Sequence, residues 1–134
     1  MAFWLFKEEP ETYSFANLER DGKTTWSGVT NALAQKHLRA VKKGDRVFFY
    51  HTGSEKAVVG IMEATADASP DPADKTGKLV VVTVKPVRKL KTPVTLATIK
   101  ADKTFANWEL VRLARLSVMP VPEDLWRKIE EMGK

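Results

Sequence analysis

The chain has 134 residues, with 22 basic and 17 acidic side chains, a net charge of +5 and no cysteine. This length fits one domain, which we place over residues 1–134. The lack of cysteine excludes a disulfide scaffold, thiolate metal sites and a cysteine nucleophile. No apolar run approaches the about 20 residues of a membrane-spanning helix, and no secretory signal is evident. We therefore expect no membrane partner and a reducing compartment, the cytoplasm or, in a eukaryote, the nucleus.

The excess of positive charge lies in the second half of the chain. Residues 1–67 hold nine basic and nine acidic side chains, whereas residues 68–134 hold thirteen basic and eight acidic ones. Such a basic segment favours a nucleic acid as partner, because Lys and Arg displace condensed counterions from phosphates. It is equally typical of a solvated face that keeps a protein soluble. The candidate phosphate contacts are Lys85, Arg88, Lys89 and Lys91.

In the first half, hydrophobic spacing and capping residues predict one strand and two helices. The strand is short and apolar, and a proline stops it. Each helix follows a polar residue whose side chain can accept a hydrogen bond from the first turn. In chain order we predict a strand at 2–6, a helix capped by Ser14 and ending near 21–22, a polar loop at 23–28, and a helix capped by Thr30 or Asn31 and ending at 42–44.

In the second half, β-branched and aromatic residues predict most of the sheet. We expect strands at 46–51, 57–66, 79–87 and 115–121, a surface loop at 69–74, short helices after Thr95 and within 105–111, and a terminal helix that begins at Pro122. About five to six short strands mixed with short helices favour an α+β fold, a small mixed β-barrel with peripheral helices.

Several kinds of chemistry lack their motifs. The glycines form neither a dinucleotide-binding fingerprint nor a phosphate-binding loop, and no serine stands in a nucleophile elbow. His37 and His51 are the only histidines, and neither has a second ligand at metal spacing. We therefore expect no cofactor, no metal and no catalytic residue.

A few polar and aromatic residues stand out from the hydrophobic pattern. Trp26 lies in a polar segment before a helix, where it could stack on a flat ligand or plug the barrel as part of the core. Tyr50 and His51 end a hydrophobic strand, and His51 could read a base edge or cap a turn. Asn31 could pair with a base or simply cap its helix. The other tryptophans, at 4, 108 and 126, lie in apolar segments typical of core.

Taken together, five segments resemble an EVE domain, a family of the PUA-like superfamily. The resemblance spans essentially the whole chain and rests on Trp4-Leu5-Phe6-Lys7 with Glu9-Pro10, Trp26-Ser27-Gly28-Val29 with Asn31, Phe48-Phe49-Tyr50-His51, Val59-Gly60-Ile61, and Arg115-Leu116-Ser117-Val118. It implies a small mixed barrel with helices and a pocket that accepts a nucleobase. The ligands it implies are modified cytosine in DNA or modified bases in RNA.

The resemblance also implies which residues form the pocket. They are Lys7, Glu9, Trp26, Ser27, Gly28, Val29, Asn31, Tyr50, His51, Arg115, Leu116 and Ser117. This chain departs from many members of the family at Ser27, where they have Asp, and at Ala32, Leu33 and Gln35, where they have Tyr, Gln and Arg.

Three functions follow as expectations. The first is a binding module that recognises a flipped or single-stranded, modified base, with stacking contributing about 1–3 kcal/mol. The second is a hydrolase of modified nucleosides, as some ASCH-type relatives imply, with Lys7 as base and Glu9 as the residue that orients it. The third is a protein-interaction adaptor, which requires a large exposed apolar patch.

Overall fold

Seven strands form one strongly curved sheet in the computed structural model, which describes residues 1–134. The strands are β1 (Phe3–Glu8), β2 (Thr24–Trp26), β3 (Arg46–His51), β4 (Ala57–Ala64), β5 (Ser69–Pro70), β6 (Val80–Thr95) and β7 (Val118–Pro120). The helices are α1 (Phe15–Asp21), α2 (Ala32–Arg39), α3 (Leu96–Lys100), α4 (Glu109–Arg112) and α5 (Glu123–Met132), with a 3-10 turn at Lys103–Phe105. None of these helices is long and apolar enough to cross a membrane.

The sheet is mixed, with a single parallel pair. Its strand order is β2-β6-β4-β3-β1-β7, with β5 paired to β6. Only β1 and β3 run parallel, and every other neighbouring pair is antiparallel. The ladder ends at β2 and β7, so the curved sheet forms a half-barrel. The predicted α+β class with a small mixed barrel is confirmed, with two additional very short strands.

Three helices begin where their capping residues predict. Ser14 accepts a hydrogen bond from the Asn17 amide, and the Asn17 side chain accepts one from the Ser14 amide. The Asn31 side chain accepts from the Ala34 amide, and Thr95 caps α3 in the same way. These signals lie within one turn of chain, which is why they can be recognised without knowledge of the fold.

Other boundaries differ from the prediction because long-range pairing sets them. The segment 23–28 was expected to be a loop, but Thr24–Trp26 pair with β6 as a strand. The expected loop at 69–74 includes β5, which pairs with the start of β6. β6 runs eight residues past the predicted end at 87, whereas β7 covers only 118–120 of the predicted 115–121. Helix α2 ends at Arg39, before the lysines at 42–43.

The core is one continuous cluster of 35 buried hydrophobic residues. The predicted core tryptophans at 4, 108 and 126 are all at most 6% exposed. The Trp126 ring stacks on Phe48 with a centroid distance of 3.6 Å and on Phe3 at 4.7 Å. These contacts fasten α5 to the centre of the sheet, because β1 and β3 carry the two phenylalanines.

The register of the central strands gives the sheet two distinct ends. Lys7 pairs with Tyr50 where β1 and β3 finish, and Phe3 pairs with Arg46 where both begin. We call the first the Lys7 end and the second the Arg46 end. Four residues of extended strand separate Arg46 from Tyr50, a distance of roughly 13 Å.

Candidate nucleic-acid interface

A depression of about 310 Å³ opens at the Lys7 end, and we call it the Lys7–Tyr50 depression. The Lys7 Nζ atom donates a hydrogen bond of 3.0 Å to the carbonyl of Ala114 and lies 5.5 Å from the centre of the Tyr50 ring. Burial lowers the pKa of Lys7 and raises the pKa of Tyr50 to about 12. The depression therefore offers an amine and a neutral phenol to a ligand. Its full lining is Lys7, Tyr50, Thr52, Gly53, Lys56, Leu96, Lys100, Leu110 and Ala114.

A second depression, the Asn31–Arg115 depression, adjoins the first and shares Ala114 with it. Its volume is about 320 Å³, and its lining is Asn31, Leu33, Leu113, Ala114, Arg115 and Leu116. The side-chain oxygen of Asn31 accepts a hydrogen bond of 2.9 Å from the Ala34 amide and so caps the helix. The side-chain amide nitrogen of Asn31 has no hydrogen-bond partner within the chain, and Asn31 shares this depression with Arg115.

A third depression of about 240 Å³ lies at the end of β2 and includes Trp26, Ser27 and Glu8. Trp26 is only 5% exposed, and its ring lies 5.3 Å from those of both Phe6 and Phe49. Of the two roles that the sequence left open for Trp26, the structure supports the role in the core. An edge of the indole still lines the depression.

The loop from β2 to α2 is held by a residue that the sequence analysis did not assign to the site. Gln35 is 2% exposed, and its amide nitrogen donates to the Val29 carbonyl at 2.6 Å. Its side-chain oxygen accepts from the Val80 amide at 3.0 Å. Gln35 therefore ties the loop to β6, while Gly28 provides the left-handed turn with φ +77°. A glutamine within the apolar stripe of α2 was the available signal.

His51 is bound on both sides within the chain. Its Nε2 atom accepts from the Phe15 amide at 3.1 Å, and its Nδ1 atom lies 2.7 Å from Glu55 Oε1. This pattern requires the neutral tautomer in which Nδ1–H donates to the carboxylate. Of the two expected roles, the structure supports the capping histidine, since no ring nitrogen remains to read a base.

The other residues of the implied pocket contribute unequally. The Glu9 side chain is exposed and lines none of the three depressions, where Glu8 stands instead. Leu116 is buried. The backbone carbonyl of Ser117 accepts a hydrogen bond of 2.9 Å from the Lys7 amide. This bond joins β1 to the segment before β7, which contains Arg115, a residue that lines the Asn31–Arg115 depression.

A model of the EVE domain matches residues 2–132 of the chain. The chain belongs to the EVE domain family. It is 32% identical to human thymocyte nuclear protein 1 over 90% of this chain and 69% of that protein. It is 37% identical to the mouse protein of the same name over 52% of this chain and 36% of that protein.

Solved EVE-like structures superimpose on the whole chain. An NMR structure from Rhodopseudomonas palustris, 42% identical, covers 99% of this chain and 93% of its own with a TM-score of 0.94. The crystal structure of human THYN1 in complex with 5-methylcytosine containing DNA, 27% identical, covers 100% and 98% with a TM-score of 0.90. An ASCH structure from Zymomonas mobilis is 12% identical, covers 99% of this chain and 96% of its own, and has a TM-score of 0.61. At this identity it shows only a shared fold.

In this EVE domain the predicted cations of β6 are not among the residues that line the three depressions. Lys85 pairs across the sheet with Glu63, which in turn pairs with Arg46, so it stands at the Arg46 end. Its Nζ atom lies 3.5 Å from Glu63, and Arg88 binds Glu130 at 2.7 Å. None of the four candidate phosphate contacts on β6, at 85, 88, 89 and 91, lines one of these depressions. Lys56 and Lys100, which the sequence analysis missed, line the Lys7–Tyr50 depression instead.

No group of three or more His, Cys, Asp and Glu side chains is close enough to hold a metal ion. The polar groups that line the Lys7–Tyr50 and Asn31–Arg115 depressions include the side chains of Lys7, Tyr50, Asn31 and Arg115, with leucines as apolar walls. Such groups can hydrogen-bond the edge of a planar ligand and attract a phosphate.

Proposed function

We propose that this EVE domain is a nucleic-acid-binding module that recognises a modified base, with 5-methylcytosine in DNA as the first candidate. The observation that carries the proposal is the match, over the whole chain, to human THYN1 in complex with DNA that contains this base. We further propose that residues 1–134 act as one domain in the cytoplasm or the nucleus, since the chain has no cysteine.

The Lys7–Tyr50 depression has the size and chemistry for a base. Its volume of about 310 Å³ suits a small ligand, and Leu96 and Leu110 provide apolar walls. The Lys7 ammonium and the Tyr50 hydroxyl can donate to the ring nitrogen and carbonyl oxygen on the edge of cytosine. A base can reach them only outside a duplex stack, as in other proteins that extrude a nucleotide.

The methyl group sets the expected selectivity. Burying one methyl against the apolar walls contributes about 0.8 kcal/mol, which corresponds to roughly a fourfold preference over unmodified cytosine. The preference should depend on how well Lys7 orients the base, because a tilted base would leave the methyl in water.

The test compares oligonucleotides of one sequence with and without 5-methylcytosine by fluorescence anisotropy. Wild-type protein should prefer the methylated strand, and Lys7→Gln should lose most of that preference. Lys89→Gln removes the same charge from an exposed residue of β6 and should keep it. Equal affinity of the wild type for both strands would contradict the proposal, as would a preference that Lys7→Gln retains.

The hydrolase alternative lacks its pair of residues. Burial lowers the pKa of Lys7, as a lysine base requires, but the Lys7 Nζ atom donates to Ala114 and the Glu9 side chain is exposed. The adaptor alternative requires a large exposed apolar patch. Two of the four large apolar residues that are exposed, Leu33 and Leu113, line the Asn31–Arg115 depression. Their place in a depression fits contact with a ligand better than a docking surface for a protein.

A further inference from the structure

A fourth depression extends the site beyond the Lys7–Tyr50 depression. It has a volume of about 410 Å³ and is lined by Ser54, Glu55, Lys56, Thr95, Leu96, Ala97 and Lys100. It shares Lys56, Leu96 and Lys100 with the Lys7–Tyr50 depression, which in turn shares Ala114 with the Asn31–Arg115 depression. The three depressions are therefore neighbours, and we refer to them together as the groove.

We propose that this groove binds the sugar–phosphate backbone of a single nucleic-acid strand, through Lys56 and Lys100 on one side of the base and Arg115 on the other. The proposal rests on the proposed function, because it places the recognised base in the middle of the groove. It assigns the phosphate contacts to residues other than the basic stretch of β6.

The charges of the groove fit a polyanion. Lys56, Lys100 and Arg115 are exposed. They take part in none of the nine ion pairs of the structure. The one carboxylate that lines the groove is Glu55, and His51 holds it at 2.7 Å. Cations without a carboxylate partner are free to neutralise phosphates, and the release of the counterions condensed on the nucleic acid is the source of backbone affinity.

The fold holds two of these cations next to each other. The Lys56 carbonyl accepts a hydrogen bond of 2.8 Å from the Leu96 amide, which ties the turn between β3 and β4 to the start of α3. Lys56 has a left-handed backbone with φ +46°, an uncommon conformation for lysine. Lys100 is the last residue of α3, and Lys56 and Lys100 line the same two depressions. Strained backbone of this kind is frequent where a side chain is held for a ligand.

The position of the base between the cations favours a single strand. A strand whose base enters the Lys7–Tyr50 depression must run past the opening in both directions. Arg115 stands on one side, in the Asn31–Arg115 depression, and the two lysines stand on the other. Positively charged grooves that follow the backbone in this way are typical of proteins that bind single strands.

The experiment compares two double variants with equal loss of charge. Lys56→Gln with Lys100→Gln removes cations of the groove, and Lys89→Gln with Lys91→Gln removes exposed, unpaired lysines of β6. Binding of a single-stranded oligonucleotide with one 5-methylcytosine is measured at several salt concentrations, together with binding of the free nucleoside 5-methyl-2′-deoxycytidine. Melting curves establish that all variants are folded.

The groove variant should weaken oligonucleotide binding on the order of tenfold at 0.1 M salt and reduce the slope of log K against log salt by about 1.4. It should leave the affinity for the nucleoside unchanged, and the β6 variant should change neither. An unaltered slope in the groove variant, or an equal loss in the β6 variant, would overturn the proposal. If the groove variant has an unaltered salt slope but the protein still prefers the methylated base, the assignment of the phosphate contacts to the groove is wrong and the proposed function stands. If the wild type binds neither probe, the proposed function fails with it.

Discussion

Replacing Trp26 by alanine should destabilise the fold about as much as replacing any core tryptophan. The ring is 5% exposed and lies 5.3 Å from the rings of Phe6 and Phe49, both of which are fully buried. Truncating a buried tryptophan costs about 3–5 kcal/mol, and part of that cost comes from the aromatic pairs, each worth about 0.5–1.5 kcal/mol. In a domain of this size the loss should lower the melting temperature by roughly 10–20 °C.

The control is Trp126→Ala, because Trp126 also packs against two phenylalanines and is 3% exposed. Urea unfolding of both variants, followed by circular dichroism, should give losses of similar size. Trp26→Phe keeps a ring between its neighbours and should retain most of the stability and the affinity for methylated DNA. If Trp26→Ala loses less than about 1 kcal/mol, or if Trp26→Phe folds normally but binds DNA more than tenfold more weakly, the indole is a ligand contact and its assignment to the core is wrong.

Three further substitutions test the contacts that surround the site. Gly60→Ala should destabilise by about 1–3 kcal/mol in chemical denaturation, because the new Cβ atom would lie 2.5 Å from the buried ring of Phe15. Tyr50→Phe should remove part of the fall in unfolding free energy that the wild type shows above pH 10. Burial raises the pKa of Tyr50 to about 12, so between pH 10 and 12 the phenol ionises only in the unfolded state, and the wild type loses stability there. A difference in denaturation midpoint that stays constant between pH 9 and 12 would contradict this. Gln35→Leu should cost about 1–3 kcal/mol by leaving the Val29 carbonyl and the Val80 amide unpaired, and a melting temperature equal to that of the wild type would refute it.

Local signals in the sequence are sufficient for the starts of the capped helices and for the presence of the long strands, but not for the end of α2 or of β6. Caps such as Ser14 and Asn31 act on amides three residues away, so their geometry does not depend on distant parts of the chain. The short strand β2 gives no such signal. Its residues are strand only because they face 82–84 of β6, and Trp26 is core only because that pairing sets it over Phe6 and Phe49.

The candidate site also combines features that local sequence signals predict with features that only long-range pairing sets. Three of the five segments that resemble the EVE family meet at one end of the sheet, where Lys7 pairs with Tyr50 and the Lys7 amide donates to the carbonyl of Ser117. The density of charge along the chain predicts phosphate contacts on β6, whereas the proposed groove uses cations that no such local signal marks. Lys56 and Lys100 are 44 positions apart in the sequence and become neighbours only through the pairing of Ala57 with Thr95.

The position of β1 between β3 and β7 has a consequence for how the chain folds during synthesis. Leu5 pairs with Met119, more than a hundred residues later, so this apolar strand cannot complete its neighbours until nearly all of the domain has been made. At about 5–20 residues per second, β1 would wait for several seconds with its edge open to other chains. Once β7 is in place, β1 has a paired strand on both of its edges. Its amides should then exchange with solvent only when the whole domain unfolds, with protection equal to the global stability.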